Sequence, residues 1–122
     1  MSETHFILIF HGSVSPEAQE VCLELVDSLK NRLSKSFSFC YLRSGIPDLS
    51  KALELAFEKG YRDITCMPML LLPGAHSIKE IPETIESFKN IHSDCAITLL
   101  PCLAKNHDFV AFLAKLMEKC HG

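Results

Sequence analysis

Four short apolar runs alternate with four stretches of helical periodicity along this chain, and that alternation restricts its fold more than any other feature. The apolar runs contain many β-branched and aromatic residues and predict strands at 5–11, 37–43, 62–70 and 95–100. The intervening stretches predict helices at 16–34, 48–59, 78–90 and 106–120. Strands that alternate with helices form a parallel sheet through right-handed crossovers, with helices on both faces. We therefore expect an α/β fold.

Helix start and stop signals agree with this alternation. Ser15 precedes Pro16 and the acidic Glu17, which is the pattern of an N-cap, a proline at the first helical position and a favourable first turn. Gly60 follows the second predicted helix and is typical of a helix end. The sides expected to face the sheet carry Val21, Leu25 and Leu29 in the first helix and Ala52, Leu53 and Ala56 in the second.

The length and charge of the chain restrict its class. With 122 residues it has the length of one domain, and we expect residues 1–122 to form a single domain. The formal charge of −3 gives no electrostatic reason to expect nucleic acid or an anionic membrane as a partner. The longest apolar stretch, 64–73, is shorter than the roughly 20 residues of a membrane-spanning helix. Glu3 stands where a signal peptide would be basic, so we expect a cytoplasmic protein.

The six cysteines are spread along the chain without a CxxC pair. Most of them lie in apolar segments, which favours small buried side chains in a reducing compartment over a disulfide framework or a thiolate metal site. Cys102 alone lies near a predicted strand end, which makes it a weak candidate for lining a site.

Two histidines follow apolar runs at equivalent places. His11 ends the first predicted strand, and His76 follows the third strand across the loop Pro73-Gly74-Ala75. Each histidine by itself is more often a structural residue at a strand end or a helix cap. In a sheet of order 2-1-3-4, however, strands 1 and 3 are neighbours, and open α/β sheets bind ligands at the carboxyl ends of such strands. Because neutral imidazole offers a lone pair to a metal or a proton, the pair predicts one site for a divalent transition metal.

Other polar residues are weaker candidates. His5 and His92 are predicted at the opposite edge of the sheet. His107 follows the fourth strand, where an ordinary position at a helix start is favoured over the rim of a crevice. A solvated helix face is predicted for Lys79, Glu80, Glu83, Glu86 and Lys89.

The chain lacks the sequence patterns of several enzyme classes. It contains no GxSxG elbow, no Walker loop and no GxGxxG. Histidine phosphatases also end their first strand in His-Gly, but an arginine usually precedes that histidine, and here the preceding residue is Phe10. A phosphohydrolase is therefore the third hypothesis.

The segments around both histidines resemble the small sirohydrochlorin chelatases of the CbiX type, the class II enzymes that insert a divalent metal into a tetrapyrrole without ATP. The resemblance extends over nearly the whole chain. It rests on the motifs His11-Gly12-Ser13, Pro16-Glu17-Ala18, Ile46-Pro47-Asp48-Leu49, Gly74-Ala75-His76 and Glu80-Ile81-Pro82.

The resemblance implies a chelatase-like three-layer sandwich and a homodimer, since short members look like half of the longer chelatases. It implies that His11 and His76 hold the incoming metal and accept pyrrole protons. The metal is then a substrate, Co²⁺ or alternatively Fe²⁺ or Ni²⁺, and no organic cofactor is expected. The macrocycle is expected to face the apolar segment 67–72, with Lys105 at the rim. The residues implied to bind the tetrapyrrole are Gly12, Ser13, Arg43, Gly74, Ala75 and Ser77.

Three positions depart from the family pattern. Arg43 stands where many relatives carry a glutamate at the end of strand 2, Val14 where an arginine often follows His-Gly-Ser, and Glu80 where an aspartate is usual. Arg43 is expected to bind substrate carboxylates in place of the missing arginine. The leading hypothesis is metal insertion into sirohydrochlorin or a closely related tetrapyrrole, for cobalamin, sirohaem or a nickel cofactor. The alternative, favoured by Arg43 and Val14, is a protein of the same fold that binds metal or tetrapyrrole without catalysis.

Overall fold

The computed structural model of the protein describes residues 3–120 and contains all eight predicted elements, each ending within two residues of its expected position. The strands are β1 Thr4–Phe10, β2 Phe37–Tyr41, β3 Asp63–Pro68 and β4 Ala96–Leu99. The helices are α1 Pro16–Arg32, α2 Leu49–Glu58, α3 Ser77–Ile91 and α4 His107–Lys119, with a 3₁₀ turn at Leu103–Lys105 before the last helix. Within the described residues, no helix is long and apolar enough to cross a bilayer.

The four strands form one parallel sheet in the predicted order β2-β1-β3-β4. In its register Ile9 pairs with Cys40 of β2 on one side and with Pro68 of β3 on the other. The carboxyl ends of three neighbouring strands therefore lie at the same edge of the sheet, and the loops that follow β1 and β3 emerge side by side.

One face of the sheet packs against α2 and α3 and forms the hydrophobic core. Because side chains alternate along a strand, Ile7 and Ile9 of β1 share this face with Ile64 and Cys66 of β3, and all four are fully buried. The helices contribute Leu49, Ala52, Leu53 and Ala56 from α2, and Ile81, Ile85 and Phe88 from α3. The predicted inner side of α2 is confirmed.

Three of the six cysteines belong to this buried part of the fold. Cys40, Cys66 and Cys95 are buried as predicted, whereas Cys22 and Cys102 are half-buried and Cys120 is exposed. Burial raises the pKa of the Cys40 thiol and of the Cys66 thiol to about 12. These thiols therefore stay protonated and act as small apolar side chains.

Helix α1 lies on the other face of the sheet, and its predicted inner side is wrong at Val21 and Leu25, whereas Leu29 is half-buried. Val21 and Leu25 are exposed, by 57% and 39%, and the buried residue is Val26. The side that faces the sheet carries Val26 and Cys22, whose Sγ lies 3.9 Å from the Tyr41 hydroxyl oxygen of β2. The helix has two apolar sides, and periodicity alone does not say which of them meets the sheet.

The predicted helix ends are confirmed. The Ser15 hydroxyl oxygen caps α1 by accepting a hydrogen bond from the Ala18 amide at 3.4 Å. Gly60 follows α2 with φ of +100°, a left-handed conformation that favours glycine. Helix α4 begins with an Asn106 cap, but it does not lie on the sheet: all of its residues except Phe109 are exposed, and none is buried.

Candidate functional site

The loop after β1 is held between the loops after β2 and β3. The backbone amides of Leu42 and Arg43 donate to the carbonyl oxygens of Phe10 and His11 at 2.9 and 2.8 Å. On the other side, the Met69 amide donates to the Ile9 carbonyl at 2.8 Å. The sheet pairing thus continues past the strand ends. These bonds place His11 at the carboxyl edge, between its two neighbouring strands.

Gly12 permits a close approach at this point. Its φ is +94°, and a Cβ atom there would collide with the backbone carbonyl of Arg43. A residue with a side chain would have to push the β1 loop away from the β2 loop. The glycine after His11 is therefore needed for the packing of the two loops as well as for the turn.

Both predicted ligand histidines line one cavity of about 130 Å³ beyond the carboxyl edge. His11 comes from the end of β1, and His76 comes from the loop that leads from β3 into α3. The other lining residues are Leu42, Arg43, Gly74, Ala75, Ser77 and Glu80. Of the predicted site residues, only Gly12 and Ser13 lie outside this cavity. They line an adjoining cavity of about 170 Å³, of which His11 also forms a wall.

Hydrogen bonding leaves the histidine rings available for chemistry. His11 Nδ1 lies 3.1 Å from the Gly12 carbonyl oxygen, and since a carbonyl only accepts, Nδ1 carries the proton in this contact. In the neutral ring the lone pair then lies on Nε2. His76 occupies the N-cap position of α3 without a side-chain capping hydrogen bond, and its side chain is exposed. Both imidazoles are accessible to a solvated ion.

The loop before His76 is closed by Ser77. The Ser77 hydroxyl oxygen accepts from the Gly74 amide at 3.1 Å and the hydroxyl donates to the Gly74 carbonyl at 3.3 Å. Ser13 has a similar role in the loop between β1 and α1, where its hydroxyl oxygen accepts a hydrogen bond from the Ser15 amide at 3.0 Å. Both serines therefore shape their loops.

Arg43 and Glu80 form a bidentate ion pair across the mouth of the shared cavity. The two guanidinium-to-carboxylate distances are 2.8 and 2.9 Å. Hydrogen bonding to Arg43, together with the charges of Arg43 and His76, lowers the pKa of Glu80, and the same carboxylate raises the pKa of Arg43. The prediction that Glu80 belongs only to a solvated face is wrong. Glu80 follows His76 by four residues, which places both on one side of α3. This spacing is the sequence signal that could have assigned Glu80 to the site.

A third cavity, which is apolar and has a volume of about 220 Å³, lies beyond the ends of β3 and β4. Ser77 lines both this cavity and the histidine cavity. The apolar walls include Leu70, Pro73, Leu99 and Pro101, and the rim includes Cys102 and Lys105. Cys102 and Lys105 thus lie where the sequence predicted them, close to the carboxyl edge.

Of the other histidines, the three within residues 3–120 lie away from these cavities, and His121 lies outside the described residues. His5 is buried near the start of β1, with its ring nitrogens 2.7 and 2.9 Å from the hydroxyl oxygens of Ser36 and Ser38. His92 follows α3, with its ring centroid 4.0 Å from that of Phe57. His107 is the exposed first residue of α4. His5 and His92 thus lie at the edge of the sheet opposite the cavities, as predicted.

The site offers an ion two imidazoles. Within residues 3–120, no group of three histidine, cysteine, aspartate or glutamate side chains is arranged to hold a metal. Two ligands hold a divalent ion less firmly than the four ligands of a structural zinc site. An ion bound by these two imidazoles alone would therefore be held weakly.

A family model identifies the chain. The CbiX family model matches residues 5–120, which is nearly all of the sequence. The chain belongs to the CbiX family. The predicted relationship and the chelatase-like α/β fold are therefore confirmed.

Named relatives of this CbiX-family chain are chelatases. A sirohydrochlorin cobaltochelatase of Saccharolobus islandicus (strain L.S.2.15 / Lassen #1) is 32% identical over 79 residues, which are 65% of this chain and 61% of that protein. A sirohydrochlorin cobaltochelatase of Priestia megaterium is 29% identical over 85 residues, covering 68% of this chain and 27% of that protein. The chain therefore spans less than two thirds of the length of these relatives.

The fold is shared with a longer sirohydrochlorin chelatase. The crystal structure of the sirohydrochlorin chelatase SirB from Bacillus subtilis subspecies spizizenii, in complex with cobalt, superimposes with a TM-score of 0.80 at 21% identity. The superposition covers 97% of this chain and 51% of SirB. The chain thus corresponds in fold to about half of that protein.

Proposed function

We propose that this CbiX-family protein inserts a divalent metal into sirohydrochlorin or a closely related tetrapyrrole. One observation carries the proposal: His11, at the end of β1, and His76, in the loop between the neighbouring strand β3 and α3, line the same cavity at the carboxyl edge. The names of the relatives, which are sirohydrochlorin cobaltochelatases, support the same reaction.

In this proposal the two histidines deliver the metal and remove protons. His11 Nε2 and a ring nitrogen of His76 hold the ion, Co²⁺ or alternatively Fe²⁺ or Ni²⁺, which is a substrate of the reaction. Four pyrrole nitrogens compete successfully for an ion with only two protein ligands. Insertion of one M²⁺ releases two protons from the ring nitrogens, and neutral imidazole is a suitable acceptor near pH 7. The reaction needs no organic cofactor.

The three cavities divide the substrate between them. We place the flat macrocycle against the apolar walls beyond β3 and β4, which include Leu70 and Pro73. Its peripheral carboxylates are bound by Arg43, by the hydroxyls of Ser13 and Ser77, and by the backbone amides of Gly12, Gly74 and Ala75. Lys105 adds positive charge at the rim of the apolar cavity.

Substrate binding has a consequence for the ion pair between Arg43 and Glu80. A substrate carboxylate that takes the guanidinium fork of Arg43 displaces the carboxylate of Glu80. Glu80 then remains beside His76 as a free acid group at the cavity wall. In this proposal Glu80 takes the role of the acidic assistant that the family resemblance implies at the end of strand 2, where this chain has Arg43.

We further propose that the protein acts as a homodimer in the cytoplasm. The chain corresponds to 51% of SirB, so two copies supply the amount of structure that SirB has in one chain. Four strands form only one wall of a cleft for a tetrapyrrole, and the second copy provides the other. The buried, protonated thiols of Cys40 and Cys66 are consistent with a reducing compartment.

The experiment is anaerobic mixing of the protein with metal-free sirohydrochlorin and Co²⁺, Fe²⁺ or Ni²⁺, followed by absorbance. We expect insertion faster than in the control without protein. His11→Ala and His76→Ala are each expected to lower the protein-dependent rate of metal insertion at least about 100-fold. His107→Ala, which changes an exposed histidine outside the cavity, is the matched control and keeps the wild-type rate. Insertion no faster than the control with any of the three ions would overturn the proposal.

One observation favours a second candidate, a protein that binds tetrapyrrole or metal without catalysis. The mouth of the histidine cavity carries the Arg43 and Glu80 ion pair instead of a free acid at the end of β2. The two candidates separate in the same experiment. Quenching of sirohydrochlorin fluorescence without faster insertion supports the binding protein, and faster insertion excludes it.

A further inference from the structure

The histidine cavity contains two opposite charges beside its two imidazoles. Arg43 comes from the loop after β2, and Glu80 comes from the first turn of α3. Both line the cavity together with His11 and His76. Among the described residues that line it, Glu80 is the one carboxylate. Each of its two oxygens accepts a hydrogen bond from a different nitrogen of Arg43, so the guanidinium engages both of them.

Glu80 and His76 have the spacing of two side chains that can bind one ion. The Glu80 amide donates to the His76 carbonyl at 2.9 Å, which is the helical hydrogen bond between residues four apart. Residues at this spacing lie on one side of a helix with their Cβ atoms about 5–6 Å apart. Helical zinc sites of the HExxH type use the same spacing for two ligands of one ion. The backbone thus places Glu80 within reach of an ion on His76.

Arg43 holds Glu80 away from such an ion in the described structure. Within residues 3–120, no three histidine, cysteine, aspartate or glutamate side chains are arranged to hold a metal, and the Glu80 carboxylate is hydrogen-bonded to Arg43 instead. The guanidinium also brings a positive charge to the cavity, and this charge repels a divalent cation. An ion that reaches the two histidines in this state has two protein ligands and a positive charge at the cavity wall.

Another carboxylate can open this ion pair at little cost. The side chains of Arg43 and Glu80 are 47% and 36% exposed, so water solvates both charges when they separate. Exposed ion pairs are weak for this reason. A carboxylate on a bound ligand can form the same two parallel hydrogen bonds with the guanidinium. Such a ligand releases Glu80 from Arg43.

We infer that Arg43 keeps Glu80 off the metal until a carboxylate of the tetrapyrrole takes its place, and that Glu80 then becomes the third protein ligand of the ion held by the two histidines. This deepens the proposed function and rests on it for the identity of the ligand. Metal and tetrapyrrole then bind cooperatively, because each favours the state in which Arg43 and Glu80 are apart. The coupling is reciprocal, so each substrate raises the affinity for the other by the same factor.

The coupling sets an order of binding, with the tetrapyrrole first. Without tetrapyrrole the protein holds a divalent ion weakly. With tetrapyrrole in place the ion gains an anionic ligand, and the substrate carboxylate neutralises the charge of Arg43. Two imidazoles and one carboxylate suit a divalent metal such as iron and leave coordination positions open, so pyrrole nitrogens can bind the ion before the protein releases it. The metal is thus bound firmly only where an acceptor for it is present.

Anaerobic titration with Co²⁺ alone gives the first test and needs no tetrapyrrole. Arg43→Ala frees Glu80 and is expected to raise the affinity for Co²⁺ about 10-fold over the wild-type protein. In a Glu80→Gln background the same replacement should raise it no more than about 2-fold, since it then removes only a screened repulsion. Equal gains in the two backgrounds would overturn the inference, because they would show that Glu80 does not bind the ion.

A matched control and a spectrum accompany this titration. Lys79→Ala removes the same charge from an exposed position on the first turn of α3, outside the cavity lining, and should keep the wild-type affinity for Co²⁺. The visible absorption spectrum of bound Co²⁺ reports its ligands. It should differ between the wild-type protein and Arg43→Ala, and it should be the same in Glu80→Gln with and without Arg43→Ala. One spectrum for all four proteins would contradict a third ligand.

Binding of metal-free sirohydrochlorin, followed by fluorescence quenching, tests the competition for Arg43. Glu80→Gln removes the competing charge and is expected to bind sirohydrochlorin about 5-fold more tightly than the wild-type protein. The same variant should insert metal more slowly, because the third ligand is lost. Tighter binding together with slower insertion is a combination that general damage to the fold would not produce. Binding of sirohydrochlorin by Glu80→Gln no tighter than by the wild-type protein would overturn the competition.

The two sets of experiments separate this inference from the proposed function. A gain in Co²⁺ affinity that depends on Glu80, without accelerated insertion of any of the three metals, would support the control of Glu80 by Arg43 and overturn the proposed reaction. Accelerated insertion without that gain would overturn the control by Arg43 and leave the proposed reaction standing.

Discussion

Arg43 and Glu80 connect the end of β2 to the first turn of α3 by two parallel hydrogen bonds of 2.8 and 2.9 Å. The pair lies across the cavity that holds His11 and His76, and both side chains are partly exposed. Exposed ion pairs contribute little to stability, because water solvates the separated charges almost as well. We therefore interpret this pair as a functional feature, a guanidinium that is oriented toward the site before the substrate arrives.

Replacement of Arg43 is expected to affect substrate binding more than stability. Arg43→Ala removes the fork that binds a substrate carboxylate and should raise the KM for sirohydrochlorin roughly 10-fold, with little change in Tm. Arg43→Lys keeps the charge but loses the bidentate geometry, so its KM should lie between those of the wild-type protein and Arg43→Ala. Steady-state kinetics and thermal melts measure both effects. An unchanged KM in Arg43→Ala would show that the guanidinium does not bind substrate.

Two glycines with positive φ provide a matched pair for the loop at His11. Gly12 has φ of +94° and faces the Arg43 carbonyl, whereas Gly60 has φ of +100° and has open space where a Cβ would lie. Gly60→Ala should cost only the left-handed strain, about 1 kcal/mol. Gly12→Ala adds a collision with backbone and should cost more than about 2 kcal/mol in urea denaturation, with loss of metal insertion. Equal costs for the two variants would contradict the close packing of the loops.

His5 is expected to make the protein less stable in mild acid. Its ring is buried between Ser36 and Ser38 and stacks on Tyr61 with the centroids 4.6 Å apart. Burial, and to a smaller extent the charge of Lys59, lowers the pKa of His5 below 6.5. His5 therefore binds a proton more readily in the unfolded chain than in the folded protein. Stability is therefore full above about pH 6.5 and falls as the pH drops from there through the lower pKa of the folded state.

Thermal melts between pH 5 and 8 measure this effect. We expect Tm to be nearly constant above neutrality and to fall below it, and His5→Gln should remove part of the slope. His107→Gln, at an exposed position, is the control and should keep the wild-type slope. If the Tm of His5→Gln had the full wild-type pH dependence, groups other than His5 would cause the acid sensitivity.

Alkylation is expected to distinguish the buried thiols from the exposed one. Cys40 and Cys66 have thiol pKa values raised to about 12 by burial, so almost no thiolate exists at pH 8. Cys120 is exposed. Iodoacetamide followed by mass spectrometry should modify Cys120 long before Cys40 or Cys66. Rapid modification of either core thiol in the native protein would contradict the described packing.

Much of the fold was predictable because its signals are local. Strands and helices follow from the period of apolar residues within each segment, and helix ends follow from residues such as Ser15 and Gly60, whose effect acts over a few positions. The strand order placed His11 and His76 at neighbouring strand ends, which led to the prediction of a shared site. The structure brings both residues to one cavity.

Two features were not predictable, because each depends on which elements meet. Val21 and Leu25 form an apolar side of α1 as regular as the one that is buried, and only docking on the sheet selects Val26 instead. Glu80 is one of several acidic residues on α3. Its spacing from His76 places it on the side of the site, but the position of Arg43 at the end of β2 is what makes it the partner in the ion pair.

By itself, then, the sequence determined the order and type of the elements and the two histidines at their ends, since these are encoded by spacing along the chain. The tertiary structure decided which side of α1 is buried, which acid pairs with Arg43 and where α4 points. These are choices between surfaces of similar composition, and their free energies are set by contacts between segments far apart in the chain.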